Sequence, residues 1–230
     1  MPAKQNGEQF FRVMTVIVLA IVILGFGLLR LAQWDVMPAP TLWVYLHALT
    51  ALGWCGFAVL QTRFIAAGNI KLHMQLGIFG LMLAAAAFVI GTFITLDAGA
   101  RHIAEGETAS AARDVAGQMV DFLSFGIAVV LAFANRKLPL AHKRLMLASV
   151  IFMVPPAAFR LTVVFGLPAP LTLAVLIALA SAMLIYDWRR LGKPHWASWM
   201  VLGFFIVGTP IKILLPFSQS WESFLVSVLS

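Results

Sequence analysis

Five histidines and a few charged side chains interrupt the apolar runs of this 230-residue chain, and any chemistry must come from them. His47, Trp54 and Gln61 recur every seven residues, close to two helical turns, so they share one helix face. His142 and Arg160, eighteen residues or five turns apart, also share a face, with Met146, Ser149, Met153 and Pro156 near it. An ideal helix sets that pair about 27 Å apart, at opposite ends, and Pro155-Pro156 bends it. Two polar layers follow. One draws on Gln61, His73, His142, Asp187 and His195, with Arg144 as support; the other draws on His47, Asp121, Arg160 and Lys212, with Trp54 on the stripe between them.

Neutral imidazole is a common metal ligand and a common axial ligand of haem, so His73, His142 and His195 are candidate cofactor-binding residues. His73 and His142 form the preferred pair, because each opens a long helix on the same side and His142 lies on the polar fifth-helix face. His195 follows Pro194 beside a basic turn and fits a headgroup contact better. Two other readings stand beside this one. The histidines satisfy backbone or lipid phosphate at helix starts, or helix N-termini with Lys143 and Arg144 form a phosphate or lipid-headgroup site. In the other layer, Asp121 neutralises Arg160 or Lys212, or the group forms a pocket for a small anionic or quinone-like ligand, with His47 moving a proton. No nucleophile and base stand at diagnostic spacing, and Cys55 has no partner for a disulfide or a thiolate metal cluster.

The elements that must position these residues are membrane helices. Hydrophobic residues make up 62% of the chain and charged ones 11%, against about 25% charged in soluble domains. Spanning about 30 Å of hydrocarbon takes about 20 helical residues. Seven segments qualify, at about 11–31, 41–61, 72–96, 115–134, 142–165, 170–186 and 196–215. Together they predict an all-α polytopic protein, one seven-helix domain over residues 1–230. The first segment exceeds the 7–15 residues of a signal-peptide core and is read as a helix of the mature chain. Residues 217–229 place Phe217, Trp221, Phe224, Leu225, Val228 and Leu229 at helical spacing, which predicts a short interfacial helix.

Lys4, Arg12, Arg63, Lys71, Arg136, Lys137, Lys143, Arg144, Arg189, Arg190 and Lys193 fall on one side, eleven of the 16 basic residues. That side is expected to be cytoplasmic, with the N-terminus in and the C-terminus out. The charges are spread over short loops and make no nucleic-acid patch. Gly53, Gly56, Gly77, Gly80 and Gly91 mark close helix packing, and Trp34, Trp43, Trp188, Trp196 and Trp221 sit near interfaces. Three hairpins repeat one pattern, a polar or basic turn followed by a histidine that opens the next helix: His73, His142 and His195.

The set from His47 through LHMQLG, Asp121, LAHKRLMLAS, Arg160, YDWRRLGKPH and GTPIK resembles an uncharacterised family of bacterial seven-helix inner-membrane proteins, over most of the chain from about Leu42. Met74-Gln75 replaces the basic pair usual there, and Lys212 stands where arginine is usual. More distantly, the histidine-bearing hairpins resemble those of di-haem b-type membrane cytochromes, which implies haem b on an inner histidine pair and an electron-transfer role. His102, read as lying in a loop, leaves the outer layer only His47 for a second haem. Membrane lipid, a quinone-like molecule or a larger membrane complex are the expected partners; binding or transport at the outer pocket, or service as an accessory subunit, are the alternatives.

A periplasm-only reporter fused after Ser230 is expected to be active and one placed after Arg190 silent. The reverse pattern would invert the orientation of both layers.

Overall fold

The computed structural model describes residues 2–33, 35–36 and 39–230, with side chains from Gln9 onward. Lys4 and Trp34, read above as topology and interface residues, lie outside the described side chains. The chain forms α1 (Pro2–Ala32), α2 (Leu42–Ala66), α3 (Ile70–Ala104), α4 (Thr108–Ala134), α5 (Pro139–Ile151), α6 (Val154–Val164), α7 (Pro170–Leu191), α8 (Trp196–Leu214) and α9 (Gln219–Leu229). No strand occurs among the described residues. Seven segments are long and apolar enough to cross a membrane, with α5 and α6 together making the fifth, Pro139–Val164.

That fifth segment is the most buried of the seven and forms the centre of the bundle. Its α5 half packs on α4, α8, α1 and α2, and its α6 half on α1 and α7. Alanines make the close approach possible: Ala141, Ala148, Ala157 and Ala158 are buried on it, opposed by Ala128, Ala132 and Ala180 from neighbours. Between helices as apolar outside as inside, such small-residue contact supplies packing that hydrophobicity alone cannot. Gly25 carries this to its limit, since a Cβ there would meet the Ala157 carbonyl oxygen. Large apolar side chains such as Leu49, Ile78 and Val130 face outward.

Pro155-Pro156 breaks the fifth helix at Phe152-Met153, where two turn residues separate α5 from α6. His142 and Arg160 therefore do not share one uninterrupted face, and each serves different neighbours.

The helix ends differ from expectation where hydrocarbon thickness had been taken as helix length. At 35 residues, α3 is about 52 Å long and outruns a bilayer core of about 30 Å. The long loop expected over 97–114 is mostly helix, His102 lies in the last turn of α3, and only residues 105–107 make the turn. Asp97 and Arg101, an i,i+4 ion pair, support this polar extension. The helix α9 packs on it: Leu225 is buried with Ala112 and Val115, and the Trp221 indole N–H donates to the Ala112 carbonyl at 3.1 Å. The tail is thus a packed cap on α3 and α4. Of the five glycines read as packing sites, Gly53, Gly80 and Gly91 meet neighbours, whereas Gly56 and Gly77 face open space.

Near the other end, Asp187 of α7 is enclosed by polar partners. Arg144 Nε donates to its Oδ1 and Oδ2 at 2.8 and 3.0 Å, and Arg144 Nη2 also reaches Oδ1. The His195 backbone N–H and the Ser198 hydroxyl donate to Oδ2 at 2.9 and 2.7 Å. Both charged side chains are about 1% exposed. Three helices, α5, α7 and α8, are tied at one carboxylate.

Asp187→Asn leaves Arg144 buried without its counter-charge and is expected to cost about 3–5 kcal/mol. Thermal melting in detergent should show this as a large fall in Tm, with Arg144→Met/Asp187→Leu recovering most of it. A single variant melting with the parent would show the pair to be dispensable.

Candidate functional site

The hairpin α2–α3 turns at residues 67–69, and Asn69 caps α3 by accepting from the Leu72 N–H at 3.2 Å. That cap sets His73 in the first turn of α3, where its Nδ1 lies 2.5 Å from Gln61 Oε1 on α2. The hairpin α4–α5 repeats the device. Pro139 opens α5, and His142 Nδ1 donates to the Ala132 carbonyl of α4 at 2.8 Å. Each ring thus reaches back across its own hairpin.

The two hairpins bring the rings together, with centroids 6.3 Å apart and planes at 71°. Donation from Nδ1 to a carbonyl-type oxygen fixes the neutral tautomer and leaves Nε2 as a lone pair in each ring. Gln61 is 6% exposed, and its Nε2 amide has no hydrogen-bond partner. A cavity of about 100 Å³ adjoins all three, walled by Phe11 and Thr15 of α1, Ala58 of α2, and Met146 of α5. Met146 is one turn along α5 from His142, so its thioether faces the same space. Lys143 Nζ stands at the rim, 4.9 Å from the centre of the Phe11 ring. This arrangement holds two imidazoles, one amide donor and one methionine, with no carboxylate in the lining among the described residues.

His195 is elsewhere. It caps α8, its Nδ1 accepting from the Ala197 N–H at 3.2 Å while its backbone N–H bonds Asp187. Asp187 and Arg144, expected as inner polar support, hold each other and the helix ends. The residues of the other layer are scattered among structural tasks. Asp121 pairs with Lys212, joining α4 to α8. Arg160 donates to the Pro156 carbonyl at 2.9 Å, and its guanidinium lies 4.3 Å from the Phe26 ring centre. His47 packs edge-on to Phe122 at 5.9 Å, over Gly91, whose missing side chain makes room for it, and its Nδ1 has no partner. Trp54 is core, 1% exposed and edge-on to Phe125. At the end of α3, His102 lies within ligand distance of Glu105 and Glu107 of the following turn, and both glutamates are exposed.

Sequence reasoning missed the Ala132 carbonyl, which every residue type presents alike. It placed Met146 near the His142 face, where the residue does line the cavity, but gave it no role. Compared with protein families, curated proteins and solved structures, the chain matches none.

Burial pushes the His195 imidazole below its ordinary value, with the Arg144 cation adding to the effect and Asp187 opposing it. A lowered folded value means that the neutral cap stabilises fully above the unfolded value of about 6.5 and is lost as pH falls through the folded one. Between about pH 8 and about pH 5, the parent should lose more stability than His195→Asn, a cap that does not titrate. Parallel melting profiles would show that the ring is not acting as a neutral cap.

Proposed function

We propose that this chain is a multi-pass protein of the bacterial inner membrane that binds one monovalent copper ion between His73 and His142, at the cytoplasmic end of the bundle. The observation that supports the reading is the paired hydrogen bonding of neighbouring rings: each Nδ1 is occupied by an oxygen, which leaves each Nε2 available to a ligand. Metal-bound histidines are oriented by such outer partners, which fix the tautomer and raise basicity. Two metal–nitrogen bonds of about 2.0–2.1 Å with two ring radii span about 6 Å, close to the observed centroid separation.

The ion's identity follows from the lining. Imidazole and thioether donors suit soft Cu(I), and a lining with no carboxylate among the described residues tolerates one positive charge better than two. The concentration of basic residues at this end supports the cytoplasmic orientation.

Haem, implied by the resemblance to b-type cytochromes, has suitable donor chemistry here, but the small cavity beside the rings favours a single ion. A cavity of about 100 Å³ holds about three waters at ~30 Å³ each, and ligand pockets usually start near 300 Å³. A ligand pocket on Asp121, Arg160 and Lys212 is likewise poorly supported, because those charges already serve α4, α6 and α8.

Anaerobic titration of detergent-purified protein with Cu(I), against a chromogenic chelator, should give one ion per chain. His73→Ala and His142→Ala should each weaken binding by at least about 100-fold and Gln61→Ala by about 10-fold, whereas His195→Ala should bind like the parent. Absence of copper binding, or parent-like binding by both histidine variants, would sink the reading. A Soret band after expression with haem, abolished by either substitution, would replace copper with haem.

A further inference from the structure

On the face of α1 turned away from the histidine cavity, Arg12 and Arg63 frame a groove of about 540 Å³ walled by Val13, Val16 and Ile17. Phe11, Met14, Val18 and Val22 pack inward on α1, so Arg12, Val13, Val16 and Ile17 form a separate outward stripe. Arg63 comes from the last turn of α2, which packs against α1. Neither guanidinium has a hydrogen-bonding or ionic partner among the described residues.

The groove is amphiphilic along its length. From Arg12 to Ile17, five residues, the wall runs about 7.5 Å, from the charged rim to an apolar floor. Its volume falls in the range of about 300–1,000 Å³ usual for ligand sites. Two guanidiniums offer planar donor forks suited to phosphate oxygens. Free phosphate would leave the apolar wall unused, and a zwitterionic headgroup would bring a cation against two arginines.

We propose that this groove between α1 and α2 binds one anionic phospholipid, its phosphate held by Arg12 and Arg63 and the start of an acyl chain lying on Val13, Val16 and Ile17. The site is independent of copper binding, because α1 separates it from the histidine cavity. It is more selective than the general attraction of a basic membrane face for acidic lipid, because it joins two charges to a shaped apolar wall.

Native mass spectrometry of the full chain, exposed in detergent to equal amounts of phosphatidylglycerol and phosphatidylcholine, tests it. The parent should retain one phosphatidylglycerol in preference to phosphatidylcholine. Arg12→Gln/Arg63→Gln should lower that retention at least about tenfold, in keeping with the loss of two charge-assisted contacts. Val16→Trp, which fills the groove and keeps both arginines, should lower it as well, while Arg136→Gln/Lys137→Gln at the same end should not. Equal retention of the two lipids, undiminished retention by the arginine pair or by Val16→Trp, or an equal loss in the Arg136/Lys137 variant would each overturn the proposal.

Discussion

A carboxylate out of reach of water must find several donors or lose its charge, and Asp187 finds them on three helices. Arg144 comes from α5, the His195 N–H and Ser198 hydroxyl from the start of α8, and Asp187 itself from the end of α7. The N-terminus of α8 adds its partial positive charge to the same spot. Arg144 spends a further donor on the Leu140 carbonyl at 2.7 Å, in the first turn of its own helix. Helices as apolar as these would have little reason to prefer one another over lipid, and such a node specifies which ends meet.

The histidine pair depends on that node. His142 lies two residues before Arg144, so fixing Arg144 in the core fixes the azimuth of α5 and turns His142 toward α4 and α3. Phe11 extends the same frame to α1, lying beneath Lys143 and Arg144, while neighbouring Phe10 stacks on Tyr186 of α7 at 4.1 Å. One arginine and one aspartate thus hold the walls of a cavity they do not line. The three histidine-opened hairpins use one device with different partners: an amide oxygen for His73, a peptide carbonyl for His142, and a carboxylate reached through the backbone of His195. In the third, the imidazole turns to capping its own helix, which removes it from ligand duty.

The far end is built differently. Asp121 and Lys212 join α4 to α8 while remaining partly exposed, and Arg160 is held by its own helix and an aromatic ring. Beyond them, α3 and α4 project as a polar hairpin whose apolar seam is closed by α9. The charged groups near α8 are distributed over single contacts, and the set that does converge, His102 with Glu105 and Glu107, lies out at the α3–α4 turn.

The sequence by itself determined the membrane-type composition, the seven apolar segments and the polar positions inside them, because hydropathy and spacing are local properties. It also marked His73 and His142 as a pair, since both open helices at the same end. It did not determine helix length: the chain continues helical through Asp97, Arg101 and His102, because backbone hydrogen bonding and the Asp97–Arg101 pair do not stop where hydrocarbon does. Nor could it reveal the pairing of Arg144 with Asp187, 43 residues away, or assign Lys212 rather than Arg160 to Asp121. Those choices depend on the rotation of each helix about its axis. The turn at Phe152-Met153 interrupts the face His142 and Arg160 would otherwise share. The distance between two imidazoles on separate hairpins, and the room beside them, follow from packing the whole bundle around α5, and only the tertiary structure fixes them.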